Sequence, residues 1–307
     1  MNHSNNIGIV RKIKEDEFDL WLAFPQSLDD KEIFKRVDRD KKWIKKDKVP
    51  IDHFFVFEKD KQFFGKICLS GFENRWNYLA TPIIKDCDDV KMIAKDLYQL
   101  AVKEWKQYKL SYLETYLSKD DKHFEILKES IQEVGFIEIQ QFYEFQKYLK
   151  NQIYQEKDEI LEFVKGNVFG LPKIKKLYEQ SRKQSLLYTG HPNPPDVDDE
   201  FEIIVRITNI DFIVALKDKE PIGFSSIGLR GCDTGGIGYI CVLPQFRGNG
   251  YGKIIHRESL NALSKKGAKE YRGSTNIENY PMINIFKSNG CKKENERFAY
   301  RYEFSYI

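Results

Sequence analysis

Apolar and polar residues alternate along this chain in two rhythms, one of period two and one near 3.6, and the rhythms take turns. Ile7 to Lys14 reads as a strand, followed by two charged helical stretches at about 15–24 and 28–47. His53-Phe54-Phe55-Val56-Phe57-Glu58, the turn Lys59-Asp60-Lys61 and a second apolar run through Leu69 predict a β-hairpin. Val90, Ile93, Ala94, Leu97, Leu100, Ala101 and Trp105 fall on one face of a helix over 88–108. A strand at 110–117, a helix at 122–133, Gly135 and a further strand complete the first half.

The same order then returns. Lys59-Asp60-Lys61-x-x-x-Gly65 reappears as Lys217-Asp218-Lys219-x-x-x-Gly223, 158 residues on (59 to 217). Each copy follows one apolar strand and opens another. Gly135 has a counterpart in Gly290, 155 residues on (135 to 290). Repeated signals in a repeated element order predict a tandem duplication of a mixed α/β plan. The domains expected are 1–150 and 151–307, with the boundary between 148 and 170, where Lys150-Asn151-Gln152 leaves the strand.

Composition narrows the class. With 307 residues, 41 % apolar and 14 % aromatic, the chain can fill the cores of two domains. The longest apolar runs, such as Phe212-Ile213-Val214-Ala215-Leu216, are far short of the ~20 residues that span a bilayer. The first residues have neither a basic flank nor an apolar stretch, so a cytoplasmic protein without a membrane partner is expected. A net charge of +3 is not the footprint of a dedicated nucleic-acid binder. Lys41, Lys42, Lys45, Lys46 and Lys48, diluted by Asp38, Asp40 and Asp47, read as a solvated helix face rather than a phosphate patch. Cys68, Cys87, Cys232, Cys241 and Cys291 are odd in number and widely spaced, and the five histidines are scattered. That spacing predicts reduced thiols and no metal site. Residues 189–200 form a proline-rich loop whose acidic end (Asp196, Asp198, Asp199, Glu200) either caps the next helix or attracts a cationic substrate.

The segment that carries chemistry runs from Gly238 to Lys253. Its first part, Gly238 to Val242, is a strand, which Pro244 ends. Arg247-Gly248-Asn249-Gly250-Tyr251-Gly252-Lys253 then opens a helix that stops at Gly267. Glycines allow a ligand close to the backbone, and the first N–H groups of a helix lack partners within it. With the positive end of the helix dipole they form an anion site suited to a diphosphate. The P-loop pattern fails, because Ile254 follows Gly252-Lys253 and Arg247 stands where its first glycine belongs. The dinucleotide pattern fails because Lys253 replaces its last glycine.

The turn resembles the signature of the GNAT superfamily of acyl-CoA-dependent N-acyltransferases, Gln/Arg-x-x-Gly-x-Gly/Ala after a strand ending Val-x-Pro. Here these read Arg247-Gly248-Asn249-Gly250-Tyr251-Gly252 and Val242-Leu243-Pro244. The stretch from Asn279 through Phe286 to Gly290-Cys291 is similar to the family's Asn-x-x-Ala-x-x-Leu-Tyr-x-x-x-Gly-Phe element. The resemblance covers about 201–307. It implies two tandem α+β domains, each a mostly antiparallel twisted sheet flanked by helices.

It also implies roles. Backbone groups near Val242 and Leu243 would pair with the pantetheine of acetyl-CoA. The N–H groups from Arg247 through Gly248, Asn249, Gly250, Tyr251 and Gly252 to Lys253 would hold its diphosphate, with the Arg247 side chain as a further donor. Asn279 would contact the pantetheine. An acceptor amine would attack the thioester directly in a ternary complex. The family's tyrosine acid falls on Phe286, which cannot donate a proton, so Tyr280 and Tyr239 are its substitutes by proximity. Asp233 is the candidate base, and Cys241 is expected to be a buried thiol. The first half has Asp89-Val90-Lys91-Met92-Ile93-Ala94 at the corresponding positions, after Cys87-Asp88. It therefore reads as a degenerate copy with acid where a phosphate would sit. The function expected is acetyl transfer to a primary amine of a small molecule or peptide. The alternatives are a non-catalytic CoA-binding or interaction module and an aminoacyl-transferase of doubled fold.

Overall fold

The structure is a computed structural model. It describes residues 8–46, 49–70, 78–108, 111–149, 160–187, 191, 194, 196–206, 211–230 and 233–305. Cys232 and parts of the 189–200 loop lie outside these residues.

The first half supplies β1 (Ile9–Lys12), α1 (Phe18–Ala23), α2 (Lys31–Lys46), β2 (Phe54–Lys59), β3 (Gln62–Ser70), β4 (Tyr78–Leu79) and β5 (Ile83–Ile84). It continues with α3 (Val90–Trp105), β6 (Tyr112–Ser118), α4 (Phe124–Val134) and β7 (Ile137–Tyr148). The second half supplies β8 (Glu162–Lys165), α5 (Gly166–Phe169), α6 (Leu171–Arg182), α7 (Val197–Arg206), β9 (Asp211–Lys217), β10 (Glu220–Arg230) and β11 (Thr234–Val242). Then follow α8 (Tyr251–Lys265), β12 (Glu270–Asn276), α9 (Tyr280–Ser288) and β13 (Lys292–Glu303). Both Lys-Asp-Lys turns carry two successive residues at positive φ, Asp60 and Lys61 (50° and 61°) and Asp218 and Lys219 (49° and 67°). That is the hairpin turn whose twist matches the strands it joins. Gly65 and Gly223 repeat a packing role as well. A Cβ on Gly65 would come 2.7 Å from Ile93 of α3, and one on Gly223 would come 3.0 Å from Ile255 of α8.

The chain forms two compact units, 1–139 with 297–307, and 140–296. This differs from a cut at 150, and strand pairing is the reason. Residues 142–148 of β7 pair antiparallel with β12, inside the second unit. Residues 297–303 of β13 pair antiparallel with β6, inside the first.

In the first unit β1, β2 and β3 pair antiparallel, β5 adds to β3, and β4 joins β3 to β6, running parallel to β6. Leu97, Tyr98, Trp105, Leu127 and Ile131 of α3 and α4 pack with Leu113, Leu117 and Tyr300 of the sheet. Trp21, Leu22, Val37, Phe54 and Val56 form a separate core with α1 and α2. Lys66 enters this region. Its Nζ donates to the Trp21 carbonyl at 2.7 Å and lies 4.4 Å from the Trp21 ring centre. Burial lowers its pKa to about 7. The Lys41 and Lys42 ammonium groups pair with Asp19 and Asp38, each at 2.7 Å, as on a solvated helix face.

In the second unit β8, β9, β10 and β11 pair antiparallel in that order. Leu260, Leu263, Ile283 and Phe286 of α8 and α9 pack with Phe145 and Tyr271. Ile174, Tyr178, Phe201 and Ile204 of α6 and α7 form another core with Val214, Phe224 and Tyr239.

Candidate active site

β11 and β12 run parallel for two pairs only, Thr234 with Glu270 and Gly235 with Tyr271. Beyond them β12 keeps its ladder with β7 as far as Asn276. β11 keeps its ladder with β10 as far as Val242. The two strands therefore part, leaving a wedge between them. The Leu243 N–H turns to β10 and donates to the Ile222 carbonyl at 2.8 Å. Strand alternation turns Ile240 and Val242 the other way, onto the open edge. A peptide-like ligand could pair there as a strand would.

The wedge leads to the turn before α8. Gly248 and Gly250 have φ of +81° and +79°, and a Cβ on either would meet nothing within 4 Å. These two glycines serve backbone geometry and leave room above the turn. Gly252 serves packing, since a Cβ there would come 2.8 Å from Ile285 of α9. The Lys253 N–H donates to the Gly250 carbonyl at 3.1 Å. Within the described residues, the N–H groups of Gly248, Asn249, Gly250, Tyr251 and Gly252 have no backbone acceptor. Five such donors at the positive end of a 15-residue helix make an anion cradle. The cradle fits a diphosphate. Lys217 adds charge nearby, its Nζ 5.5 Å from the Tyr251 ring centre.

Several expected site residues take other places. The Arg247 guanidinium turns inward, to the Val242 carbonyl and to the end of α6. Its N–H donates to the Pro244 carbonyl at 3.3 Å. The Leu243 N–H is spent on β10, as described above. The Asn249 side chain folds back to the Phe246 and Arg247 carbonyls, at 3.1 and 3.2 Å. Asn279 caps α9, its Oδ1 accepting the Met282 N–H at 3.3 Å. Phe286 is a core residue, stacked on Phe145 at 4.4 Å.

The proton-transfer candidates separate in the same way. Tyr239 is buried, with its hydroxyl 3.0 Å from Ser181 Oγ of α6, and burial pushes its pKa well above the usual phenol range. Asp233 stands before the first residue of β11, nine residue steps or about 30 Å along the strand from Val242. There its carbonyl accepts the Lys269 N–H at 2.7 Å and its carboxylate pairs with the Lys269 ammonium at 3.1 Å. Asp233 thus lies at the end of β11 that pairs with β12, away from the wedge. Tyr280 is 68 % exposed at the start of α9, four residues past the end of β12. Burial pushes the Cys241 thiol up to about 11, which suits a packed thiol and not a nucleophile.

The acidic stretch serves α7. Asp196 Oδ1 accepts the N–H of Asp198 at 2.8 Å, Asp198 pairs with Lys175 at 2.9 Å, and Glu200 pairs with Arg182 at 2.6 Å. These contacts are those of a helix cap and its flanking ion pairs. Sequence reasoning missed Ser181 and Lys217. Ser181 carries no local signal, because its partner Tyr239 lies on a distant strand.

With this geometry in hand, comparison with known proteins is specific. Residues 174–291 match the model of the acetyltransferase (GNAT) family. These residues form a GNAT-family domain. A GCN5-related N-acetyltransferase from Sphaerobacter thermophilus superposes with a TM-score of 0.70 at 11 % identity, over 96 % of this chain and 95 % of that one. A tandem GNAT protein from the clavulanic acid biosynthesis pathway gives 0.64 at 10 % identity, over 98 % and 99 %. No curated protein matches. At these identities the structural likenesses establish the fold, a tandem GNAT architecture spanning nearly the whole chain. The GNAT domain supports acyl transfer as the class of activity.

The first unit keeps a trace of the same wedge. β4 pairs parallel with β6 at two positions, Tyr78 with Glu114 and Leu79 with Thr115, and β5 then pairs with β3. Thr81 Oγ1 donates across to the Tyr116 carbonyl at 2.5 Å. Before α3, Asp86 is held by Lys122 at 2.6 Å and Asp89 by Lys59 at 3.3 Å. Carboxylates occupy the region of the helix start where the second unit offers bare N–H groups. Among the described residues no group of three His, Cys, Asp or Glu side chains could hold a metal. No described helix is long and apolar enough to cross a membrane.

Proposed function

We propose that the 140–296 unit transfers an acetyl group from acetyl-CoA to a primary amine, both bound together in the wedge beside β11. The observation that carries this reading is the open edge of β11 leading into a turn with five unpaired N–H groups. The edge at Ile240 and Val242 would hold the pantetheine, and the cradle at 248–252 would hold the diphosphate. Acetyl-CoA supplies the activated acyl group. The amine attacks its carbonyl carbon, a C–N bond forms, the C–S bond breaks, and the amine proton passes to solvent or to the departing thiolate. A thiol pKa near 8.5 makes that departure undemanding, so an acid is not required for turnover. The protein's part is alignment, which supplies much of the rate in a two-substrate reaction. Of the two tyrosines proposed as proton carriers, Tyr280 is open to solvent and Tyr239 is buried.

Calorimetry with acetyl-CoA tests the reading, with one site per chain expected. Gly250→Val should keep the fold at a cost of about 1–2 kcal/mol, since a β-branched residue is strained at this φ. It should weaken acetyl-CoA binding at least tenfold, because its side chain projects into the open cradle. Absence of binding to the wild type, or unchanged affinity in the variant, overturns the site. Phe286, buried where the family carries its tyrosine, favours a second reading in which CoA binds without turnover. Thiol release with spermidine, glucosamine and lysine methyl ester as acceptors separates the two.

A further inference from the structure

The Arg247 guanidinium makes four hydrogen bonds, all to backbone carbonyls. Nε donates to Val242 at 3.0 Å, Nη1 to Lys183 and Gln184 at 3.1 Å each, and Nη2 to Ser181 at 2.8 Å. Three of these acceptors lie at the C-terminal end of α6, where carbonyls lack helical partners and a cation is favoured. The fourth lies on the open edge of β11. Gln184 sits at φ +56°, a left-handed position that a glutamine occupies only under restraint. The Arg182 carbonyl accepts the Ser185 N–H at 3.1 Å, closing a turn around this strained residue. The Ser181 hydroxyl meets Tyr239 of β11 at 3.0 Å. The end of α6 is thus fastened to the end of β11 through one side chain, whose own backbone begins the cradle turn.

We propose that Arg247 is a positioning residue: it fixes the segment leaving α6 against the open edge of β11 and couples that segment to occupancy of the cradle, without gripping the diphosphate. This rests on the reading of the wedge as an acyl-CoA site. Four of the five guanidinium N–H donors are committed to carbonyls, so a bidentate grip on a phosphate would require surrendering some of them. Its planar fork, and not its charge alone, meets several acceptors at once, so lysine cannot replace it.

The experiment uses full-length wild type, Arg247→Lys and Arg247→Ala, with CoA as the probe. Calorimetry gives CoA affinity, and limited trypsin digestion gives the rate of cleavage after the exposed Lys183. The expected result is CoA affinity within threefold of wild type in both variants. Cleavage after Lys183 should rise at least tenfold in both. CoA should slow that cleavage in the wild type and leave it unchanged in the variants. Loss of CoA affinity by tenfold or more in Arg247→Ala, with recovery in Arg247→Lys, would make the side chain a charge for the diphosphate and overturn the proposal. Unchanged cleavage in both variants would overturn it as well. If the wild type binds no CoA, the acyl-CoA reading fails, while the cleavage rates without CoA still decide whether Arg247 fastens α6.

Discussion

Lys66 shows what a single residue can impose on its surroundings. Its amine lies among apolar side chains and aromatic faces, with the Trp21 carbonyl as its nearest acceptor. Burial lowers its pKa to about 7, against about 10.4 in an unfolded chain. Between those values the unfolded state binds a proton that the folded state does not. Stability from this group therefore grows as pH rises from 7 towards 10 and is lost again as pH falls from 10 to 7, by up to about 1.4 kcal/mol per unit, with little further change below 7. Urea denaturation of wild type and Lys66→Met at pH 7.5 and 9.5 reads this directly. The stability advantage of the methionine variant should shrink by about 2–3 kcal/mol between the two pH values. A difference independent of pH would mean that the ammonium stays charged inside the fold, held by the carbonyl and the ring.

At the scale of elements, α9 poses the sharpest question. Asn279 begins it as a cap, and the motif resemblance gives the same residue to the pantetheine. Asn279→Ala should cost about 1 kcal/mol of stability in a urea titration and leave acetyl-CoA affinity within about twofold. A tenfold loss of affinity at unchanged stability would return Asn279 to the ligand. The helices over 90–105, 124–134 and 251–265 were legible in the sequence because their apolar spacing is strong and glycines close two of them. The glycine turn was legible too, since its φ values and open space are local properties. The direction of Arg247 was not, because its acceptors on α6 lie more than sixty residues away in sequence. Nor was the burial of Phe286, whose partner Phe145 comes from β7. A motif fixes a position along the chain, whereas orientation depends on which distant strand arrives beside it.

The whole molecule carries one consequence that no element shows alone. Each unit contains a strand from the other half of the sequence. Ending the chain at Glu296 should remove Phe298, Tyr300 and Arg301, all buried, from the first unit. Burial losses of about 3–5 kcal/mol per large aromatic are a major share of a domain's total of about 5–15. Hydrogen exchange should then show β6 unprotected, while β11 and α8 keep their protection and acetyl-CoA still binds. Protection of β6 in the shortened chain would show that the strand is dispensable.

The same arrangement sets an order of events at the ribosome. The first unit is nearly all synthesised by Ile139, yet the strand that pairs with β6 begins at Arg297. At about 5–20 residues per second, the roughly 160 intervening residues take about 8–30 s to make. Throughout that interval the edge of β6 has no native partner, so the half that lacks the cradle is the half that waits longest, and the chaperone demand of this protein should fall on its beginning, not its end.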